Sequence, residues 1–306
     1  MTKTSAVILC TYNGERFLRE QLDSLQKQDS KDFKLFLFDD CSEDKTIDIL
    51  QEFKRNSHLD IEIFQNEKKL GFCNNFLNGL KSVPDTFDYY FFCDQDDIWL
   101  KHKISKSIEK LRNMNNLLPK LYCSRTLLID KRQRVIGKSP LFRKKPNFTN
   151  AIVQSIAGGN TMGFNLLLKK ALNEINTNVK SHDWLAYLVC SALDGEIFYD
   201  SKPTVLYRQH KKNSIGNNMF ISSKLDRAHS FFIKNEFRGW VQKNIIAIEN
   251  LKGIEKSNFE VLETFKHLRR KELTVRVMSF FKSGIYRQSL LGNIGLFIGS
   301  IFRKIY

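Results

Sequence analysis

Four times within the first hundred residues, an apolar run of strand length ends in a cluster of Asn, Asp or Gly. Ser5–Thr11 leads into Tyr12-Asn13-Gly14 and then a helical pattern from Glu15 to about Gln28. Phe33–Phe38 leads into Asp39-Asp40-Cys41-Ser42, with a helix capped near Ser42 to Asp44. Ile61–Phe64 is followed by Asn66, Gly71 and the Asn74-Asn75 pair, and Tyr89–Cys93 by Asp94. Strands alternating with helices at this spacing predict a mostly parallel sheet with right-handed crossovers, an α/β fold. Every polar cluster then falls on one edge of the sheet, where open α/β folds place their ligands.

The fourth strand carries the most pointed chemistry. Phe91-Phe92-Cys93-Asp94-Gln95-Asp96-Asp97-Ile98-Trp99 sets three carboxylates in four positions directly after aromatic residues. On extended backbone Asp94 and Asp96 point the same way and would share one divalent cation. The alternative is a solvated acidic turn that caps a helix beginning near Ile98, with Asp97 as the cap or as a ligand contact. Three like charges this close repel unless something neutralises them.

Val7-Ile8-Leu9-Cys10-Thr11-Tyr12-Asn13-Gly14, Asp39-Asp40-Cys41-Ser42-Glu43-Asp44-Lys45-Thr46 and Asp94-Gln95-Asp96-Asp97 resemble, in order and spacing, the three signatures of family 2 glycosyltransferases. The resemblance covers roughly residues 4 to 215. It implies the GT-A fold, a Rossmann-like mostly parallel sheet flanked by helices. Ser181-His182-Asp183-Trp184 and Tyr207-Arg208-Gln209-His210-Lys211-Lys212-Asn213 are similar to segments of bacterial rhamnosyltransferases of polysaccharide biosynthesis. The family usually carries Gly where this chain has Cys41, which implies a slightly altered turn after Asp40.

The resemblance implies a site for a nucleotide-diphosphate sugar. Thr11, Tyr12 and the first acidic pair would line base and ribose, with Asp39 or Asp40 hydrogen-bonding a pyrimidine. Asn13, Glu15 and Asn75, at the same strand ends, belong to that donor-binding set. Asp94 would face the ribose or the metal-bound phosphates, and Asp96 would ligate Mg²⁺ or Mn²⁺. A hard cation of this kind takes oxygen ligands and keeps several waters, so one or two carboxylates suffice. Arg208 and His210 follow a strand from Thr204 to Tyr207 and are counted as phosphate or metal contacts, a solvated basic loop being the plainer reading. Asp183, in the first turn of an apolar helical run to Leu193, is the catalytic base of an inverting transfer or, alternatively, an ordinary helix cap. Trp184 beside it packs on a sugar face or in the core. Gly158-Gly159 allow close backbone approach to a ligand or simply form a bend.

The 306 residues suffice for a catalytic region over residues 1–215 (nucleotide-sugar binding to residue 100, acceptor and base beyond it) and a basic amphipathic helical region over 216–306. Six cysteines form no close metal-type pair, and Met1 leads into a strand without a secretory pattern. Reduced thiols and a cytoplasmic location are therefore expected. From Ser201 to Tyr306 there are twenty Lys/Arg against seven Asp/Glu, so +13 of the formal +16 lies in the last third. Phe231, Phe232, Phe237, Trp240, Phe259, Phe265, Phe280 and Phe281 stand among those basic residues. The run from Leu290 is too short to span a bilayer as a helix. A basic, aromatic-rich helical region suits peripheral docking on an anionic membrane surface, at the inner face of the plasma membrane. A soluble subdomain or a homodimer interface is the other reading. Nucleic acid is not an expected partner, because no reader motif organises the basic residues; nor does any Ser/His/Asp, zinc-type or P-loop spacing occur.

Taken together, these features predict a metal-dependent transferase moving a sugar, rhamnose from dTDP-rhamnose as the first reading, onto a polyprenyl-linked glycan. UDP-galactose, UDP-glucose or a UDP-N-acetylhexosamine are alternative donors. A non-catalytic nucleotide-sugar-binding scaffold is the alternative of a different class.

Overall fold

A computed structural model describes residues 3–210 and 235–306. Its first half follows the strand–helix alternation: β1 (Ser5–Thr11), α1 (Leu18–Gln26), β2 (Phe33–Asp39), α2 (Thr46–Asn56), β3 (Asp60–Gln65), α3 (Phe72–Ser82) and β4 (Tyr89–Asp94). Then come β5 (Ile98–Trp99), α4 (Lys103–Arg112), β6 (Lys120–Ile129), β7 (Val135–Lys138), α5 (Phe148–Ala151) and a 3-10 turn at Gly159–Thr161. The sheet-forming part closes with β8 (Gly163–Asn165), α6 (Leu166–Asn173), α7 (His182–Ala192) and β9 (Glu196–Arg208). Among the described residues, four helices follow: α8 (Glu236–Ile248), α9 (Lys256–Lys266), α10 (Leu273–Ser283) and α11 (Leu290–Ile301).

One nine-stranded sheet runs β3-β2-β1-β4-β8-β6-β9-β5, with β7 paired to β6. β3, β2, β1 and β4 are parallel. β8 is antiparallel to β4 and to β6, β6 is parallel to β9, and β5 and β7 are antiparallel to their neighbours. The fold is thus the expected α/β type, a mostly parallel sheet flanked by helices, with helices at the C-terminal end. Strand alternation explains why β1 is apolar at nearly every position: Ala6 and Ile8 join the core on one face, Val7 and Leu9 the core on the other. The first core continues through α7 into the last four helices, where Trp184 stacks near Phe237 at 6.4 Å between centroids.

Two details differ from the sequence reading. The chain turns at Gln95-Asp96, so Asp94 and Asp96 do not share one extended backbone. No helix begins at Ile98 either; Ile98 and Trp99 pair with Leu206 and Val205 of β9, and the helix starts at Lys103. The two residues find their backbone partners in the sheet, so helix capping by Asp97 does not arise.

Candidate active site

The loops after β1, β2 and β4 are laced together through side chains. Thr11 Oγ1 donates to Asp39 at 2.7 Å, and Asp39 also accepts from the Ser42 amide at 2.8 Å and the Ser42 hydroxyl at 2.5 Å. Asp40 accepts from the amides of Leu70 (2.7 Å) and Gly71 (2.8 Å) and from Asn66 Nδ2 (2.9 Å). Asn75 is buried, donating to the Phe38 carbonyl at 3.0 Å and accepting from Asn66 at 2.9 Å. Both acidic residues and Asn75 therefore hold loop backbones in place before any ligand arrives. Cys41 has φ +61°, the left-handed conformation that a glycine adopts without penalty. Asn13, also at positive φ, receives the Glu43 amide on its Oδ1 at 2.9 Å. Glu15 is exposed and accepts from the Lys45 amide at 3.2 Å.

Tyr12 stays half-exposed at the mouth of this edge, with Lys69 Nζ 3.7 Å from its ring centroid. Gln95 clamps the loop from the other side: the Tyr12 amide donates to Gln95 Oε1 at 2.9 Å and Gln95 Nε2 donates to the Tyr12 carbonyl at 3.0 Å. Sequence reasoning passed over Gln95 and Lys69. Gln95 was legible in principle, since it sits between two motif carboxylates, whereas the approach of Lys69 to Tyr12 exists only once the third loop has folded.

The carboxylate cluster lies at the end of β4. Asp96 meets His210, Oδ2 to Nε2, at 2.7 Å, which brings the turn after β4 against the end of β9. Asp97 is fully buried, accepting from the Arg208 amide at 3.0 Å and from Asn160 Nδ2 in the 3-10 turn. These bonds tie the turn after β4 to the end of β9 and to the 3-10 turn. Burial first, then the charges of Asp97, Asp96 and Asp183, push the Asp94 carboxyl well above the usual carboxylate range. Burial and the neighbouring Asp96 do the same to Asp97. Asp183, in the first turn of α7, is among the charges acting on Asp94, and its neighbour His182 lies 4.6 Å from Phe92 of β4 between ring centroids.

Arg208, expected at a phosphate, is placed differently. It is 0 % exposed; its guanidinium donates to the Asp96 carbonyl at 2.9 Å and pairs with Glu20, lying 4.5 Å from the Phe17 centroid. It braces the turn from beneath because every part of it is enclosed. Trp184 is likewise a core residue, its Nε1 donating to the Ala151 carbonyl at 2.7 Å. Asp183 accepts from the Trp184 amide at 2.7 Å and stays partly exposed. Beside it, buried His182 stacks on Phe76 at 4.1 Å, and neither ring nitrogen has a hydrogen-bond partner. Burial pulls its pKa down to about 4. A Cβ on Gly159 would stand 2.3 Å from His182 Nε2, so that glycine answers a close approach within the protein. Lys211, Lys212, Asn213, Phe231 and Phe232 lie outside the described residues. Among the described residues, no group of three or more His, Cys, Asp or Glu side chains is arranged to hold a metal ion.

Comparison with known proteins settles the family. The model for glycosyl transferase family 2 matches residues 6–175, more than half of the chain. The chain belongs to glycosyl transferase family 2. It is 31% identical over 250 residues to dTDP-rhamnosyl transferase RfbG of Shigella flexneri, covering 79% of this chain and 83% of that one. A 32% match over 112 residues to the processive diacylglycerol beta-glycosyltransferase of Mycoplasma genitalium covers 35% of this chain and 31% of that protein. Among solved structures, TarS 1–349 of S. aureus in complex with UDP-GlcNAc shares the fold, with a TM-score of 0.62 and 19% identity over 97% of this chain and 81% of that one. Mannosyltransferase PcManGT from Pyrobaculum calidifontis, in complex with GDP-Man and Mn²⁺, superposes with a TM-score of 0.53 and 14% identity over 99% and 86%. The family 2 chain is therefore a glycosyltransferase with the GT-A type of fold.

Proposed function

We propose that this family 2 enzyme moves rhamnose from dTDP-rhamnose to a hydroxyl of a polyprenyl-linked glycan during cell-surface polysaccharide synthesis, with inversion at the anomeric carbon. The arrangement that supports the chemistry is Asp94 and Asp96 at the end of β4 with Asp183 in the first turn of α7, a turn whose His182 packs 4.6 Å from Phe92 of β4 between ring centroids. Support for the donor comes from the 31% identity to a dTDP-rhamnosyl transferase across most of both chains.

The donor nucleotide lies across the loops after β1 and β2, with Tyr12 against the base and the Asp39 and Asp40 loops holding the pocket's shape. Asn13, Glu15 and Asn75 contribute to that frame, and Asp94 faces the ribose or phosphates. The diphosphate brings negative charge to an edge already crowded with carboxylates, so a cation is required between them. Asp96 and His210, a carboxylate and an imidazole 2.7 Å apart, would hold Mg²⁺ or Mn²⁺. When bound, such an ion stabilises charge on the departing diphosphate. Asp183 takes the proton of the acceptor hydroxyl as its oxygen bonds to the anomeric carbon. The bond from that carbon to the diphosphate breaks in the same step, its electron pair leaving on the phosphate oxygen. Arg208 fixes the Asp96 carbonyl, and Gln95 keeps the Tyr12 loop registered against the same turn.

Six free thiols fit a reducing, cytoplasmic setting, and the basic last third fits work at the inner face of the plasma membrane. A thermal-shift panel of nucleotide sugars with Mn²⁺ tests the donor: dTDP-rhamnose is expected to raise Tm most. A larger shift with a UDP-hexose or UDP-N-acetylhexosamine would reassign it.

A further inference from the structure

The last two helices present a surface that nothing described in the chain covers. On α11, Leu290, Ile294, Ile298 and Phe302 recur every fourth residue and form one outward stripe, with Leu291 beside it. Leu291 is 81 % exposed and Phe302 65 %, values that no folded core needs. On α10, Phe281 (67 %) and Met278 (72 %) are equally bare. The two helices adjoin, since Phe281 and Phe280 approach Phe297 at 5.8 and 5.5 Å between ring centroids. A contiguous apolar patch of this kind on a soluble protein marks an interaction surface.

The orientation is locked. Buried Arg276 of α10 donates to the carbonyls of Ser300 (3.1 Å) and Ile301 (2.7 Å), satisfying the C-terminal end of α11. Its other nitrogen donates to the Arg270 carbonyl at 2.9 Å. Ser289 caps the helix at its start, accepting from the Gly292 amide at 3.1 Å. Beyond the helix, Ile305 and Tyr306 are buried, with Tyr306 5.5 Å from Phe265. Leu296, Gly299 and Ser300 face inward, so the helix cannot roll its apolar stripe under without breaking these contacts.

Charge decides the occupant. From Leu273 to Tyr306 the chain has five Lys/Arg and no Asp or Glu. Lys282 adjoins Phe281 and Arg303 adjoins Phe302, both exposed. Basic side chains rimming an apolar stripe match the two layers of an anionic bilayer surface, phosphate outside and acyl chain beneath. The arrangement lies on the membrane without crossing it, since among the described residues no helix is long and apolar enough to span.

We propose that the α10–α11 face is a lipid-docking surface, with the stripe from Leu290 to Phe302 seated in the acyl boundary and Lys282 and Arg303 on anionic headgroups. It names the contact that the membrane location in the proposed function requires, and stands on the geometry of this face whichever sugar the enzyme moves. The test is co-sedimentation of the full-length chain with vesicles of phosphatidylcholine alone or mixed with phosphatidylglycerol. The wild type is expected to bind the anionic vesicles at least about tenfold more tightly than the neutral ones. Leu291→Glu/Phe302→Glu, changed at two exposed positions, is expected to lose on the order of tenfold or more in affinity with Tm and nucleotide binding unaltered. Should that variant fold poorly, Lys282→Ser/Arg303→Ser is expected to reduce the anionic preference alone. No binding to either vesicle, equal binding to both, or wild-type binding by the variants would overturn the proposal. So would a wild-type dimer that Leu291→Glu/Phe302→Glu turns into a monomer, since a second copy would then cover the face. Failure of the catalytic reading would leave vesicle binding intact and show only in turnover.

Discussion

His210 and Asp96 stand 2.7 Å apart, Nε2 to Oδ2, although 114 positions separate them in the chain. The contact draws the segment after β9 onto the turn after β4. Its strength depends on the ring's protonation; its position depends on Arg208, whose buried guanidinium holds the Asp96 carbonyl. Asp96→Ala should abolish transfer and remove the metal dependence of nucleotide-diphosphate binding. His210→Ala should weaken that dependence by roughly tenfold with Asp96 still present. Calorimetric titration of dTDP with and without Mn²⁺ checks both, and full wild-type activity in EDTA would count against a metal role.

Burial and the surrounding carboxylates raise the Asp94 carboxyl above the usual carboxylate range, which couples stability to pH. Its carboxyl titrates higher in the folded chain than in the unfolded one, so the folded state binds more protons between the two values. The associated stability is complete below the ordinary carboxylate range and lost as pH rises through the raised value. Asp94→Asn should therefore raise the apo Tm at neutral pH by roughly 2 °C or more and flatten its pH slope, while weakening donor binding. Melting curves across pH 4–8, as a working range of about four units, read this directly. An unchanged slope would show that Asp94 carries no such charge strain.

Buried Lys103 acts in the opposite sense. Burial pulls its pKa down to about 7, while Nζ donates to the Thr161 carbonyl at 3.3 Å and lies 4.2 Å from the Trp99 ring centroid. Between about 7 and the unfolded value the unfolded chain binds more protons, so stability rises with pH through that window. Lys103→Met should remove this rise, as seen in denaturant midpoints at pH values near 7 and 9.

Gly159 and His182 form a packing pair that substitution can expose. Gly159→Ala sets a Cβ 2.3 Å from His182 Nε2, so a loss of about 1–3 kcal/mol is expected. His182→Ala in the same chain should recover part of it, and a double-mutant cycle of denaturant midpoints measures the coupling. Strict additivity would place the strain elsewhere.

Much of this edge was legible before any coordinates. Apolar runs such as Ser5–Thr11 can only be strands buried on both faces, and the Asn/Asp/Gly clusters after them mark the edge where the chain turns. What could not be read was direction and burial. Asp96 leaves the line of Asp94 because the backbone turns at Gln95, an event that the two-residue spacing does not contain. Arg208 was counted as a phosphate or metal contact, whereas its guanidinium meets Glu20 and the Asp96 carbonyl, partners distant in sequence. Trp184, adjacent to the proposed base, went to the core because helical geometry turns neighbouring side chains about 100° apart. Cys41, where the family usually carries Gly, adopts a left-handed backbone conformation.

Asp183 is the proposed acceptor of the proton from the attacking hydroxyl. Asp183→Asn keeps the shape and the first-turn position in α7 but cannot accept a proton. Turnover of dTDP-rhamnose onto a glycan acceptor should fall on the order of 10²–10⁴-fold, with dTDP-rhamnose affinity nearly unchanged and the wild-type product inverted at the anomeric carbon. A near-normal rate for Asp183→Asn, or retained configuration in the wild-type product, would contradict the account.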